Sequence, residues 1–373
     1  MSSSTVPKLF SGYAVEKPEN WKEPRLVQYE PFELSPTEIT VKIKACGVCG
    51  SDCHQVCGNW GPFGRDNLIV GHEIVGEVVE AGSEVTKHKL GDIVAIGAQS
   101  DSCGECVRCK DHNEQYCKVA KVETYNTPHP KKNGFVTQGG YASHIRVNAN
   151  FAVSVPDNLD IYVAAPLLCG GLTVYSPIVR HGGHDLTGKT IGIVGIGGLG
   201  SMALQISKAL GAKDIYAFSR TSSKKEDALK LGANHFIAAE DVEEWAKSHP
   251  DTFDLVLFTG NSNKEADFNP YLEAIKITGT FATISAPKVD EKVIFDPFSL
   301  IKNGAVIAGS SLGSLQEAEE VLKLYADNGL KVWIEKLPIS EANVKQALIR
   351  GVQSDVRYRF VLTDFDKAFN ETK

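Results

Sequence analysis

The sequence predicts an α/β protein of two domains, one rich in β-structure and one built on a doubly wound parallel sheet. Up to about residue 155, short β segments with frequent Gly and Pro follow one another without intervening helices, which is typical of a barrel or sandwich. From about residue 170, buried strands alternate with helices, the pattern of a doubly wound sheet. A chain of 373 residues is long enough for two domains that each bury a core.

Individual segments give the expected elements. In the first region the predicted strands are EITVKIKACGV (38–48), IVGEVVEAG (74–82) and DIVAIGA (92–98). In the second, the apolar run TIGIVGI predicts a buried parallel strand. It is followed by the helix GSMALQISKALG, the strand DIYAFS, the helix KKEDALKLGA, the strand DLVLFT, a helix around Tyr271–Ile277 and the strand GTFATIS. The C-terminal region contains the helix LQEAEEVLKLYADNG and one strand, YRFVL, which we expect to rejoin the first domain.

Composition and charge exclude some classes of partner. The net charge of −7 argues against nucleic acid, because phosphate binding requires a basic face. The N-terminus has no apolar run typical of a signal peptide, and no stretch approaches the roughly 20 apolar residues needed to cross a bilayer. We therefore expect a soluble, cytoplasmic protein with neither a nucleic-acid nor a membrane partner.

The nine cysteines are clustered rather than spread along the chain. Cys169 is isolated. One short stretch contains Cys46, Cys49, Cys53 and Cys57, and a second contains Cys103, Cys106, Cys109 and Cys117. An odd number, tight clustering and no secretion signal indicate metal thiolates in a reducing compartment. Buried free thiols remain a plausible interpretation for Cys46, Cys53 and Cys57.

The second cluster has the spacing C-x2-C-x2-C-x7-C. Four thiolates this close together can complete a tetrahedral shell without a vacancy, which is the design of a structural zinc site. An iron–sulfur cluster is the competing interpretation, but its usual cysteine spacings differ from this one. Because residues 100–118 include few apolar side chains, we expect the metal to serve as the core of this loop.

A glycine-rich turn stands between a predicted strand and a predicted helix. Gly195, Gly197 and Gly200 form G-x-G-x-x-G, with Gly198 and Leu199 between them. In this context the glycines allow a tight turn, the approach of a pyrophosphate to the backbone, and close packing of helix on strand. The helix N-terminus then offers unpaired N–H groups to the phosphates. We therefore predict a dinucleotide site.

The end of the next strand indicates which dinucleotide is bound. NAD enzymes usually have Asp or Glu there, to bind the ribose 2′-hydroxyl. Here Ser219 takes that place, and Arg220 and Lys224 follow. A hydroxyl flanked by cations suits a 2′-phosphate, which a carboxylate would repel. We therefore predict NADP(H); a solvated charged helix start is the alternative.

Cys49, His72 and Cys169 are the candidate ligands of a second metal. Two thiolates and an imidazole would leave one position open, as a catalytic zinc requires. Their spacing in sequence does not join them, because each could equally be a buried cysteine or a hydrogen-bonded histidine.

The motifs resemble those of a known family over nearly the whole chain. GVCGSDCH, VGHEIVGEVVEAGSEV, the four-cysteine loop and the glycine-rich turn have the order and spacing of the zinc-containing medium-chain alcohol dehydrogenases. GGYASHIRV, AAPLLCGGLTVYSP and DVRYRFVL are similar to the NADP-dependent cinnamyl alcohol dehydrogenase branch, including yeast members with broad aldehyde specificity. The resemblance implies a GroES-like catalytic domain over 1–169 and 312–373, a Rossmann domain over 170–311, and a homodimer.

The resemblance also implies roles for residues around the catalytic zinc. It places the zinc on Cys49, His72 and Cys169, with Glu73 able to enter the shell as ligands exchange. Asp52 would accept the proton of the His72 ring and fix its tautomer.

Further roles follow for the proton relay, the cofactor and the substrate. Ser51 and His54 match the proton-relay positions of the family. Thr173 and Arg357 match positions near the cofactor, and Arg357 suits its pyrophosphate. We interpret Trp60 either as a wall of the substrate pocket or as a core residue.

The expected activity is the interconversion of primary alcohols and aldehydes, cinnamyl-type, aromatic and aliphatic, with NADP(H) and two zinc ions per chain. Within enzymes, a polyol dehydrogenase is disfavoured by the missing acid at the strand end, and a zinc-free quinone reductase by the intact ligands. A non-catalytic protein on the same scaffold is the alternative of another class. The preferred substrate and the physiological direction stay open.

Overall fold

Two structural units make up the chain in the computed structural model, which describes residues 6–260, 266–285 and 292–370. The first unit comprises Met1–Cys169 and Ser314–Lys373, and the second comprises Gly170–Gly313. The chain therefore re-enters the first unit two residues after position 312, where the sequence placed the boundary.

The N-terminal part of the first unit is mostly β-structure. Its strands are β1 (Phe10–Ala14), β2 (Arg25–Tyr29), β3 (Glu38–Val48), β4 (Glu73–Ala81), β5 (Ile93–Ile96), β6 (Gln99–Asp101), β7 (Val122–Glu123), β8 (His144–Asn148) and β9 (Ala152–Ser154). Its helices are α1 (Gly50–Val56), α2 (Val107–Lys110) and α3 (Ile161–Pro166). The three strands predicted in this region are confirmed as β3, β4 and β5.

The second unit alternates strands and helices. Its elements are α4 (Leu172–Gly182), β10 (Thr190–Val194), α5 (Gly198–Ala209), β11 (Asp214–Ser219), α6 (Lys225–Leu231), β12 (His235–Ala238), α7 (Val242–Ser248), β13 (Phe253–Phe258), β14 (Ala266–Asp267), α8 (Asn269–Glu273), β15 (Ile275–Thr283), β16 (Val293–Ile294), α9 (Pro297–Asn303) and β17 (Val306–Gly309). Six strands form a parallel sheet in the order β12-β11-β10-β13-β15-β17. This is the predicted doubly wound sheet, with β10 buried at its centre.

One prediction for the second unit was wrong in detail, and some of its elements were not predicted. The helix expected around Tyr271–Ile277 ends at Glu273, and the next residues already belong to β15. β-branched Ile275 and Ile277 favour a strand, and Ile275 is fully buried in it. The sequence analysis also missed β12 and α7, whose short, partly polar segments lack a clear period.

The C-terminal segment returns to the first unit. It contains α10 (Leu315–Asn328), β18 (Ile334–Pro338), α11 (Glu341–Val352), β19 (Arg359–Thr363) and α12 (Phe365–Asn370). β19 pairs antiparallel with β3 in a seven-stranded sheet of order β18-β19-β3-β4-β5-β9, in which β8 also pairs with β3. The predicted return of the last strand is confirmed. β18 was not predicted, because it lies at an edge and carries no buried residue to produce an alternating pattern.

One apolar helical run contradicts an expectation from composition. α3, a π-helical turn (Leu167–Gly171) and α4 form a continuous run of 22 residues, Ile161–Gly182, whose most apolar window of 18 residues has a mean hydropathy of 1.5. By length and composition this run could cross a membrane, so the expectation that no segment approaches 20 apolar residues was wrong. Within the structure 89% of the run's most apolar window is buried, which is also the pattern of a core helix.

The core of the first unit aligns the segments that carry the candidate ligands. Large apolar side chains of β3 and β4, among them Ile39, Ile43 and Ile74, are fully buried. The antiparallel register of these strands sets Gly47 opposite Glu73. Residues just after β3 and just before β4 are thereby brought together.

Candidate active site

Four metal-ligating side chains converge at the end of β3. The donor atoms of Cys49, His72, Glu73 and Cys169 all lie within 4.8 Å of one another, and all four residues are buried. Cys49 precedes α1, His72 and Glu73 stand at the start of β4, and Cys169 lies in the π-helical turn after α3. The structure thus joins the three residues that sequence spacing alone had left separate, and adds Glu73 to them.

The two cysteines of this cluster lie within hydrogen-bond distance of one another. Their sulfur atoms are 3.7 Å apart. The hydrogen bond from Cys169 lowers the pKa of Cys49 well below its ordinary value, while the same bond raises the pKa of Cys169. A cation between the two sulfur atoms would favour the thiolate form of both.

His72 presents one ring nitrogen to the cluster and the other to a carboxylate. Its Nδ1 is 3.1 Å from Oδ1 of Asp52, which is fully buried. Burial opposes a proton on the ring, but the Asp52 charge outweighs it and raises the pKa of His72. Nε2 is buried without a hydrogen-bond partner in the described part of the chain. A metal ion bound at Nε2 would satisfy this atom, which fits the expected tautomer.

Glu73 is a buried carboxylate with a cation beside it. Nη1 of Arg359 lies 3.3 Å from Oε1 of Glu73 but lacks hydrogen-bond geometry, so both carboxylate oxygens are without hydrogen bonds among the described residues. Burial raises the pKa of Glu73 to about 8, and the nearby Arg359 only partly offsets this. An unsatisfied carboxylate next to two thiols and an imidazole fits a group that can approach a metal ion.

The second cysteine cluster forms a closed set of four sulfur atoms. Its four donors lie within 4.8 Å of one another, and the sulfur separations given by the structure are 3.5, 3.5, 3.7 and 4.0 Å. Thiolates about 2.3 Å from a zinc ion would be roughly 3.8 Å apart at the corners of a tetrahedron. All nine cysteines are free thiols, so no disulfide competes. The loop therefore fits the predicted structural zinc.

Charge in this loop also favours a cation. Burial opposes a thiolate at Cys117, but backbone N–H groups of Ala120 and Cys103 outweigh it and lower its pKa to about 6. The loop is linked to a distant part of the first unit, because the Glu114 side chain accepts a hydrogen bond from the backbone N–H of Leu315, the first residue of α10.

The glycine-rich turn has the predicted position between β10 and α5. Gly195 has φ +94°, and a Cβ on Gly200 would lie 2.0 Å from the Gly195 carbonyl oxygen. Thr259 donates a hydrogen bond of 2.6 Å to that oxygen. Gly198 and Leu199 form the first turn of α5, after Gly197 at its N-cap. The close approach of helix to strand therefore requires Gly200.

The residues expected to contact a 2′-phosphate lie beside this turn. Ser219 is the last residue of β11, the strand next to β10, and Arg220 is exposed immediately after it. Lys224 folds back toward the turn, where its Nζ donates a 2.6 Å hydrogen bond to the Ile196 carbonyl. The cations are thus close to the glycine-rich turn, and their role toward a cofactor stays a prediction.

Family models match both parts of the chain. Residues 35–157 match the alcohol dehydrogenase GroES-like domain, and residues 198–327 match the zinc-binding dehydrogenase family. The chain is 45% identical over 368 residues to NADP-dependent alcohol dehydrogenase 6 of Saccharomyces cerevisiae, covering 98% of this chain and 100% of the relative. The chain belongs to the zinc-containing medium-chain alcohol dehydrogenases.

Solved structures of this family share the fold. A cinnamyl alcohol dehydrogenase of Sorghum bicolor superposes with a TM-score of 0.87 at 32% identity, covering 95% of this chain and 98% of the other. A Helicobacter pylori enzyme of the same type, complexed with NADP(H), gives a TM-score of 0.85 at 28% identity, with 96% and 99% covered. The predicted fold class, a GroES-like domain with a Rossmann domain, is confirmed.

The residues that the family motif suggests for a proton relay lie on or next to α1. Ser51 Oγ is 3.6 Å from Cys49 Sγ. The His54 ring stacks on Trp60, with centroids 5.1 Å apart and an angle of 16° between planes, and its Nδ1 is 3.1 Å from the Asn59 amide nitrogen. Trp60 is 37% exposed, so it is not a core residue. Its role in a substrate pocket stays a prediction.

The two residues that the family resemblance places near the cofactor lie in different units. Thr173 is buried on α4 of the second unit, whereas Arg357 is exposed just before β19 of the first. The backbone N–H of Arg357 donates to Glu335 at 3.3 Å. Nothing in either position tests the predicted contact with the cofactor.

Sequence reasoning missed Arg359, which is buried beside Glu73. Its segment, DVRYRFVL, was noted only for its resemblance to the cinnamyl branch. A signal was present, because an arginine inside a strand that is otherwise buried must have an anionic partner. Tyr125 and Tyr141, whose hydroxyl groups lie near His72 and Asp52, were missed as well.

Proposed function

We propose that this chain is a zinc-dependent oxidoreductase that interconverts primary alcohols and aldehydes with NADP(H). The observation that supports this most strongly is the buried cluster of Cys49, His72 and Cys169, in which three ligands leave a position for a substrate oxygen. The dinucleotide-type turn of the second unit and the names of the relatives agree with this activity.

The residues around the cluster have distinct tasks in this reaction. When bound, zinc supplies Lewis acidity toward the substrate oxygen, and the nicotinamide carries the hydride. Asp52 keeps the proton of His72 on Nδ1, so Nε2 stays available as a ligand. The Ser51 hydroxyl, 3.6 Å from Cys49 Sγ, would exchange a proton with the substrate oxygen, and His54 would carry that proton onward.

We assign the preference for NADP(H) to Ser219, Arg220 and Lys224. No carboxylate stands at the end of β11 to repel a 2′-phosphate, and two cations follow within five residues. The yeast relative is named as NADP-dependent, and the Helicobacter pylori structure contains NADP(H).

Two zinc ions per chain complete the proposal, one in each cluster. The closed set of four thiolates would be structural, and the set with an open position would be catalytic. Nine free thiols agree with a reducing, cytoplasmic location.

We also propose that the protein is a homodimer. Exposed apolar side chains occur on β15, β16, α9 and the edge strand β17 of the second unit, and on the residue after β16: Ile277, Val293, Ile294, Phe295, Phe298, Ile301 and Val306. Phe298 and Ile301 on α9 are 62% and 71% exposed. An open strand edge flanked by apolar residues suits a second copy of the same edge. Light scattering should give twice the chain mass, and Phe298→Asp should shift it toward the monomer; a monomeric wild type would contradict the proposal.

The decisive assay follows nicotinamide absorbance at 340 nm with a panel of aldehydes. Cinnamaldehyde, benzaldehyde and aliphatic aldehydes should be reduced with NADPH, and the matching alcohols oxidised with NADP. Mannitol and a quinone serve as controls for the polyol dehydrogenase and quinone reductase alternatives. Differences in an apolar pocket discriminate only modestly, about 1–3 kcal/mol each, so several aldehydes should react. No absorbance change with any aldehyde would refute the proposed activity.

A further inference from the structure

The Asp52 carboxylate is the centre of a buried hydrogen-bond network that includes more than His72. Its Oδ2 accepts from the Cys49 backbone N–H at 2.9 Å and from the Tyr141 hydroxyl at 3.0 Å. Its Oδ1 accepts from the Gly71 N–H at 3.1 Å and faces His72 Nδ1 at 3.1 Å. Because Asp52 is fully buried, each donor that it loses leaves charge uncompensated.

Tyr141 is held rigidly against the segment that carries His72. The N–H groups of Gly139, Gly140 and Tyr141 donate to carbonyls of Ile69, Gly71 and Val70, at 2.8, 2.7 and 3.0 Å. The Tyr141 ring packs so closely on Gly71, at φ +104°, that a Cβ there would be 2.6 Å from ring atom Cδ1. The hydroxyl that binds Asp52 is therefore fixed relative to the residue just before His72.

Tyr125 approaches the same pair from another side. Its hydroxyl is 3.3 Å from His72 Nδ1, and the two rings are 5.5 Å apart at an angle of 41°. The Tyr125 hydroxyl therefore lies next to the ring nitrogen of His72 that faces Asp52 Oδ1.

We propose that Tyr141 and Tyr125 are positioning residues for the catalytic metal, which hold Asp52 and the His72 ring so that Nε2 is directed into the ligand cluster. This inference rests on the proposed zinc site. The Tyr141 hydroxyl contacts Asp52 and the Tyr125 hydroxyl contacts the His72 ring, so each acts through these two residues. Partners of this kind typically change metal affinity by about 10- to 100-fold.

Tyr141→Phe and Tyr125→Phe remove one hydroxyl each and keep the ring. Each should weaken zinc binding at the open site by about tenfold, because Tyr141→Phe removes a donor to Asp52 and Tyr125→Phe removes the hydroxyl beside His72 Nδ1. Zinc in the four-cysteine site should be unaffected. Tyr325→Phe is the matched control, because Tyr325 is fully buried in the same unit and its hydroxyl has no hydrogen-bond partner among the described residues.

Zinc affinity would be measured by competition with a chromophoric chelator on wild type and the three variants, with circular dichroism to verify folding. The expected result is two zinc ions per chain in wild type, one of them bound about tenfold more weakly in the Tyr141 and Tyr125 variants alone. If both variants bind zinc like Tyr325→Phe, the positioning role is refuted. If Tyr141→Phe does not fold, Tyr125→Phe decides the question. If wild type binds only one zinc, the proposed function itself fails.

Discussion

Arg220→Ala should weaken NADPH binding and leave NADH binding nearly unchanged. A guanidinium can bind a 2′-phosphate with charge-assisted hydrogen bonds worth about 1.5–3 kcal/mol, and NADH has no phosphate at that position. Arg220 is exposed at the end of β11, so solvent screens its charge and the lower limit applies. About 1.5 kcal/mol corresponds to a loss of a little more than tenfold in affinity for NADPH. The loss should shrink as salt concentration rises.

The assay is kcat/KM for NADPH and NADH in wild type and the variant, at low and high ionic strength. Lys213→Ala is the matched control, because Lys213 is exposed just before the opposite end of the same strand. Ser219→Asp is the reciprocal change and should reverse the preference, since a carboxylate repels the phosphate and accepts from the ribose hydroxyl groups of NADH. If wild type prefers NADH, or if Arg220→Ala affects both cofactors equally, the cations form only a solvated helix start.

Three further predictions concern stability. Cys106→Ser should lower the midpoint of thermal unfolding and increase hydrogen exchange at the start of α10, because Glu114 of the same loop binds the Leu315 N–H. Cys57→Ser is the control, and an unchanged midpoint in Cys106→Ser would contradict a structural zinc. Arg359→Met should cost about 3 kcal/mol in denaturant unfolding above pH 8, where Glu73, with its pKa of about 8, is ionised and is left buried without its cation. Arg350→Met at the half-exposed pair with Glu335 should cost about 0–1 kcal/mol, and equal costs would refute the buried pair. Burial, aided by Lys42 and Lys44, lowers the pKa of His144 to about 4. Between pH 6.5 and 4 the unfolded chain therefore binds more protons than the folded chain, and wild type should lose stability relative to His144→Gln as pH falls through that window. A difference in unfolding free energy that stays constant over the window would contradict this prediction.

Features confined to a short stretch of sequence could be predicted from it. The four cysteines from Cys103 to Cys117 lie within one loop, so their spacing already limits the geometry of a metal site. The glycine-rich turn is equally local, and any side chain at position 200 would bring its Cβ within 2.0 Å of the Gly195 carbonyl oxygen. These patterns identify a site without knowledge of tertiary contacts.

The catalytic cluster could be joined only through the resemblance to the family. Cys49 and His72 meet because β3 and β4 pair with Gly47 opposite Glu73, and no spacing rule encodes that register. Arg359 and Tyr141 arrive from still more distant segments, through the pairing of β19 with β3 and the hydrogen bonds of residues 139–141 with 69–71. Partners of buried charges are therefore the part of a site that a single sequence reveals least.

The most direct test of the proposed function is the Cys169→Ala variant, in which zinc content and NADPH-dependent reduction of cinnamaldehyde are measured on the same preparation. Cys169 supplies one of the three ligands of the open cluster and is absent from the closed one. The variant should retain one zinc per chain in the four-cysteine loop, keep its fold, and lose turnover, because the remaining ligands cannot hold an open tetrahedral site. Full activity, or the loss of both zinc ions together, would contradict the separation into a catalytic and a structural site.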